Sequence, residues 1–380
     1  MKKSNQAKAS KHENGVDYIS NMPDPILQLI LQGLPTTEEV VRTSVLSTRW
    51  RYLWTSIPYF PSLDLDCYRT ALTPSLKFPK KKFKDFVTWC LANRTVDLDS
   101  LRLCCASYYR YSTVNGWIKE AVNRNAKSLD LKFDHKSECF SDFDFPEWLV
   151  TCDTLEVLRL NLYCRAPLNL ARCTELRFRA LRVLELNNVY CRNINAIELF
   201  LRMSPLLEEL TLIHCWLRVS GRDRILSPKL KTLIIRNWKK IISGEGFWRG
   251  VSVSCPELMS FEFNCAFERE VLIIENINSL KKAVILPNNK MQRMISYDMG
   301  DEICKVLAKI SHVESLSVNL YFIQCIDAAR DWRGYFPASF LNLKTLEVTT
   351  TIDAFTMNVI IRILRCSIWS LSIWSFKRNI

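Results

Sequence analysis

One apolar pattern recurs along this chain, and that recurrence limits the possible folds more than any other feature. Its fullest copy reads Leu207-x-x-Leu210-x-Leu212-x-x-Cys215-x-Leu217. Shorter copies begin at Leu98, Leu155, Leu181, Leu230, Leu258, Val313 and Leu343, with weaker ones at Leu129, Ala283 and Leu371. The ten intervals from Leu101 to Leu371 average 27 residues and range from 22 to 33. A chance apolar stretch imitates one copy, not eleven in register. Within each copy the Leu-x-Leu alternation has the period of a strand. Between copies, sets such as Trp117, Ile118, Ala121 and Val122, or Ile303, Val306, Leu307 and Ile310, have the period of a helix.

Units of this length and signature are leucine-rich repeats. Strand followed by helix, repeated, gives an α/β solenoid: a horseshoe arc with parallel strands on the concave side and helices on the convex side. Unequal spacing predicts an irregular array over residues 59–380, with Tyr321 to Phe340 as the longest excursion, expected to project as a loop. Composition agrees. Only 9 of 380 residues are glycine, about 2% against a usual ~7%. Enzymes that cradle phosphates or dinucleotides spend glycines in tight turns, whereas helix–strand repeats need few.

Ahead of the repeats lies a different segment. Pro23 and Pro25 open a short helix, Ile26 to Leu34, that ends near Gly33 and Pro35. Thr36 and Glu39 have capping-box spacing and start a second helix through Val40, Val41 and Val45. Ser47 caps a third, Thr48 to Trp54. On a helical wheel Ile26, Leu27, Leu29, Ile30, Leu31 and Leu34 cover an arc of roughly 200°, about twice what one packing face requires. The surplus must be covered, by the rest of the chain or by another protein.

These residues carry a resemblance. Ile19-Ser-Asn-Met-Pro-Asp-Pro-Ile-Leu27, then Leu31-Gln-Gly-Leu-Pro35, then Leu46-Ser-Thr-Arg-Trp-Arg-Tyr-Leu-Trp54, resembles an F-box. The form is that of plant F-box proteins with leucine-rich repeats, related to the FBD group. Met22-Pro23 stands where such proteins usually have Leu-Pro. The resemblance implies that residues 17–58 are a three-helix F-box docking on the Skp-type adaptor of a cullin ubiquitin ligase. Its docking surface would be Pro23, Leu27, Ile30, Leu31, Leu34, Leu46 and Trp50. It further implies a non-catalytic receptor subunit without cofactor or metal, whose repeats hold a target protein for ubiquitination. Relatives often add a C-terminal FBD-type region; Asn342 to Trp374 looks like its entry, and the sequence ends at Ile380 before the remainder.

In the repeat signature the leucines point into the core and the residues between them point outward. That puts Arg102, Lys132, Arg159, Asn161, Glu185, Asn187, Arg236 and Asn264 on one surface suited to holding a target, together with Thr211, Glu262, Asn319 and Glu347. The net charge of +13 is concentrated at Arg218 to Lys240 and Arg159 to Arg182. It suits an acidic partner, so a repeat scaffold binding nucleic acid or another acidic partner without a ligase role is the alternative reading. Interleaved aromatics expected of a nucleic-acid reader are missing. Phe78-Pro-Lys-Lys-Lys-Phe-Lys84 resembles a nuclear-import cluster, but it also fits the wet end of an amphipathic helix.

The fifteen cysteines include no CxxC pair and read as small buried hydrophobes in a reducing compartment. The four histidines give no metal spacing, and neither a Walker loop nor a GxSxG elbow occurs. Met1 to Asn14 is polar with four lysines, expected as a disordered basic tail over residues 1–16. Phe355 to Phe376 is broken by Arg362 and Arg365 and fails as a membrane span. Cytoplasm and nucleus are the expected locations.

Overall fold

A computed structural model describes residues 18–19, 21–34, 37–57, 62–67, 79–105, 109–133, 143–162, 167–191, 196–217, 223–237, 251–265, 272–287, 295–330, 340–349, 357–361 and 373–377. Twelve parallel strands form one sheet in which spatial order equals chain order. They are β1 Ser62–Asp66, β2 Ser100–Cys105, β3 Ser128–Phe133, β4 Val157–Leu162, β5 Val183–Asn187 and β6 Glu209–Ile213. They continue with β7 Thr232–Asn237, β8 Ser260–Cys265, β9 Lys282–Ile285, β10 Ser315–Asn319, β11 Thr345–Thr349 and β12 Ile373–Lys377.

Register is unbroken because each repeat offers the same two core leucines. Leu101, Leu129, Leu158, Leu184, Leu210 and Leu233 stand side by side in one row. All six are at most 1% exposed. The residues between them are half-buried on the open face, as the alternation requires.

The return segments depart from the expected run of helices. Helices α4 Lys80–Asn93, α5 Tyr111–Val122, α6 Glu147–Val150 and α7 Ala196–Met203 return the chain in the first half of the array, and α8 Tyr297–Lys309 does so near its far end. Between α7 and α8 the returns are Asp223–Leu226, Val251–Ser254 and Leu272–Glu275, a three-stranded parallel sheet packed against both helices. The two shortest intervals, Leu210 to Leu233 and Phe261 to Ala283, fall in this stretch. Extended chain covers about twice the distance per residue of helix, so a short return is spanned by a strand rich in valine and isoleucine.

The ends add detail. Within the expected array one strand, β1, precedes the first recognised copy at Leu98, with Leu63 and Leu65 fully buried. At the far end the register pairs Leu346 with Trp374 and Val348 with Phe376, so the last strand follows these aromatics rather than Leu371 and Ile373. The excursion from Tyr321 is not a loop through its first half. Leu320–Ala328 forms α9, capped by the Asn319 side chain accepting from Phe322 N at 3.0 Å.

Scarce glycine has a second explanation here. Left-handed positions are filled by Asn125, Asn188, His214 and Asn276, and asparagine tolerates that conformation better than most residues. None of the eleven described cysteines forms a disulfide, and ten are buried. Burial pushes thiols up, Cys173 and Cys255 to about 11, so they act as packing rather than as nucleophiles.

One apolar core runs from Leu27 in the N-terminal helices to Ile360. The head, α1 Asp24–Gln32, α2 Thr37–Arg42 and α3 Thr48–Leu53, is therefore continuous with the repeats. Thr37 Oγ1 accepts from Asp64 N of β1 at 3.0 Å. Trp54, fully buried, lies 5.4 Å from Trp89 of α4, centroid to centroid. The predicted cap at Thr36 and the tail 1–16 lie outside the described residues.

Candidate protein-binding site

Pro23 in extended conformation is the N-cap of α1, which starts at Asp24, two residues before the predicted Ile26. Leu27 and Leu31, one turn apart, take the inward side and are 0% exposed. Ser47 Oγ accepts from Trp50 N at 3.3 Å and turns α3 so that the Trp50 ring packs inward, 6% exposed. In this conformation these three residues of the expected docking surface belong to the core. The wheel showed a wide apolar arc but not which part of it the repeats would cover.

The other part stays open. Ile26, Leu29 and Ile30 of α1 are 44%, 62% and 46% exposed, and Val45 and Leu46 after α2 reach 86% and 64%. Of the expected set, Pro23 is exposed and Leu34 half-buried. Ile26, Leu29 and Val45 were absent from that set, although the first two lay on the apolar arc. Arg49 was missed as well. Its Nε donates to Asp24 Oδ1 at 2.7 Å and its Nη2 to the Met22 carbonyl at 2.6 Å, fastening α3 to the start of α1.

Across the open face of the sheet, charges alternate from strand to strand. Asp64, Arg102, Asp130, Arg159 and Glu185 occupy equivalent positions on β1 to β5. Arg102 lies 2.7 Å from Asp64 and 3.6 Å from Asp130, and Arg159 lies 3.5 Å from Glu185. Burial on the sheet raises the Asp130 carboxyl above its ordinary value, with Arg102 and Arg159 opposing. Further along, Arg236 forms a two-pronged ion pair with Glu262, whose bonds hold the guanidinium in its charged form.

A second row runs along the starts of the strands. It reads Asp99, Lys127, Glu156, Arg182, Glu208, Lys231, Met259, Lys281, Glu314, Lys344, each joined to the next by a backbone hydrogen bond of 2.8–3.0 Å. Ion pairs link Lys127 to Asp99, Arg182 and Lys231 to Glu208, and Lys344 to Glu314, at 2.7–3.0 Å.

The expected target-binding residues are thus brought onto one face, with one exception. Arg102, Arg159 and Glu185 share the first row, and Lys132, Asn161 and Asn187 sit beside it on β3 to β5. Asn188 donates to both Asn161 at 3.2 Å and Asn187 at 2.7 Å. Asn264, beside Arg236, is only 5% exposed and so is not presented. Much of the basic run Arg218 to Lys240 lies outside the described residues. In the other basic run, Arg159, Arg179 and Arg182 are each paired with an acid. Lys80 to Lys84 open α4, with Phe83 and Val87 buried below them, so these lysines are the helix's wet end. Among the described residues no cluster of His, Cys, Asp and Glu is arranged to hold a metal ion.

Comparison with known proteins matches residues 114–367 to the family described as "FBD-associated F-box protein At5g56370, LRR repeats". That is two thirds of the chain, and residues 19–61 match the F-box domain. The chain belongs to the F-box/LRR family. It is 28% identical to F-box/LRR-repeat protein At3g03360 of Arabidopsis thaliana, over 96% of this chain and 71% of that one. It is 32% identical to F-box/FBD/LRR-repeat protein At5g22700 of the same plant, over 80% and 67%. Putative F-box protein At1g49610 is 29% identical over 93% of this chain and 82% of its own. The F-box is therefore the head with the open α1 face, and the leucine-rich repeats carry the charge rows.

Proposed function

We propose that this chain is the substrate-recognition subunit of a Skp–cullin–F-box ubiquitin ligase. The F-box would bind the Skp-type adaptor and, through it, the cullin, while the repeats hold the target. The observation that carries this reading is the apolar face of Ile26, Leu29, Ile30, Val45 and Leu46, left open on a helix whose other side is core. Fully burying such a side chain from water is worth about 1.5–3 kcal/mol, and covering these, already partly shielded, about half to most of that each, so a partner must cover several of them to offset the entropic cost of association. Pro23 and Leu34 complete the rim of that surface.

The chain contributes no chemistry in this scheme. It raises the local concentration of target lysines beside a ubiquitin-charged enzyme held by other subunits. A head rigidly joined to the repeats suits that task, because the span between adaptor and target is then fixed. Among the described residues no helix is long and apolar enough to cross a membrane. Cytoplasm and nucleus are the proposed places of work.

Co-precipitation of cullin with the tagged full chain from plant cells tests the reading. Wild-type protein should recover cullin, and Leu29→Asp should not. Recovery equal in both would sink it.

A further inference from the structure

The row of charges at the strand starts is interrupted once. From Asp99 to Lys231 acid and base alternate without a gap, and alternation returns at Glu314. Between them stands Met259, 42% exposed, with Lys231 on one side and Lys281 on the other. An acid at this position would continue the sequence of signs; a thioether leaves two lysines flanking an apolar step. Lys231 is drawn towards Glu208 at 3.0 Å on its far side. Lys281 and its neighbour Lys282 are exposed, and neither forms an ion pair among the described residues. Glu257, just before Met259, forms none either.

The open face changes character over the same strands. The row that alternates from Asp64 to Glu185 continues as Thr211, Ile234, Glu262 and Val284 on β6 to β9. Ile234 and Val284 are half-buried on a face where β1 to β5 carry charge at the equivalent position. Glu262 between them is neutralised by Arg236. The first five strands therefore spend their charges on each other, whereas β7 to β9 present apolar side chains bordered by lysines.

Resting on the reading that the repeats hold a target, we propose that β7 to β9 are its docking surface and that the occupant is an acidic protein segment. A carboxylate of that segment would sit over Met259 between Lys231 and Lys281, completing the row from outside. Its apolar side chains would lie on Ile234 and Val284. Charge complementarity selects an acidic segment over a basic one, and the apolar residues select peptide over nucleic acid, whose phosphates would gain nothing from them.

The arrangement makes an unusual demand on one substitution. Met259→Glu supplies the missing acid internally, so it should leave the unfolding temperature unchanged or raised while weakening the partner. A random peptide library displayed on phage is the probe, panned against the purified full chain. Wild-type protein should enrich sequences rich in Asp or Glu together with Leu or Ile. The selected peptide should bind Met259→Glu at least roughly tenfold more weakly. Lys281→Glu combined with Lys282→Glu should do the same, and single-stranded DNA should not displace it. No enrichment, enrichment without acidic bias, equal affinity for Met259→Glu, or displacement by DNA would each overturn the proposal. The readout does not involve the F-box, so a chain that enriches acidic peptides but binds no adaptor separates this proposal from the ligase reading.

Discussion

Arg94 reaches back across forty residues to donate from Nη1 to the carbonyl of Trp54 at 3.3 Å. Its Nη2 donates to the carbonyl of Ile57 at 3.2 Å, and the next residue, Thr95, bonds Thr55 through both its amide and its hydroxyl. Arg94 as a whole is 3% exposed. Burial, and then the neighbouring Arg124, lowers its pKa to about 10, which still leaves it charged at neutral pH. One side chain thus ties the end of the F-box to the second turn of the solenoid.

Arg94→Met keeps the volume and removes the donors. The buried Ile57 carbonyl then loses its donor, at about 1–3 kcal/mol, while the Trp54 carbonyl keeps only the longer bond from the Ile57 amide at 3.4 Å. The denaturant midpoint should fall, and proteolysis should find the junction between the head and β1. Arg94→Lys should rescue little, because one ammonium on a flexible stem does not reproduce a fork that spans two carbonyls.

Gly300 lets α8 and α9 touch. A methyl group added there would lie 2.5 Å from both the Ala329 amide nitrogen and the Cys325 carbonyl oxygen. Those are backbone atoms and cannot swing aside. Gly300→Ala gains about 1 kcal/mol of helix propensity. Overpacking costs ~1–3 kcal/mol or more, so the clash decides the sign. Thermal unfolding should show a net loss of stability, although the same substitution in an open helix would stabilise.

Glu208 sits between Lys231 and Arg182, whose bonds and charges hold its carboxyl below the ordinary 4.5, the Lys231 bond having the largest effect. A lowered folded value means that the unfolded chain binds the proton first. The contribution to stability is therefore full above about 4.5 and disappears as pH falls through the folded value. Unfolding midpoints measured between neutral pH and pH 3 should fall less steeply for Glu208→Gln than for wild type. Added salt should shrink the difference, because these groups are partly open to solvent.

How much of this was legible in the sequence depends on what each residue answers to. The strands were, because Leu-x-Leu at a near-constant interval has one common solution, and β2 to β11 lie where the pattern put them. The first and last strands were not. Leu63 and Leu65 follow the head without a full signature, and the register at Trp374 and Phe376 is set by pairing with β11. The charge rows were present as the first and third variable positions of each repeat, yet sign alternation acquires meaning only when neighbours in space are known. The head was recognisable by motif, but its facing was not. Leu27 and Leu29 are equally apolar, and only the packing of α1 within the fold, against α3 among others, decides that one is core and the other open.

Whether the open side of α1 is the adaptor-binding face can be measured directly. Full-length chain, wild type or Ile30→Asp, is mixed with purified Skp-type adaptor and followed by size-exclusion chromatography with circular dichroism on each variant. Ile30 is 46% exposed, so the substitution should leave the spectrum and unfolding temperature intact. Wild type should form a stable complex, and Ile30→Asp should elute as separate peaks. Separate peaks for a folded wild-type chain, or a complex unaffected by the aspartate, would contradict that role for α1.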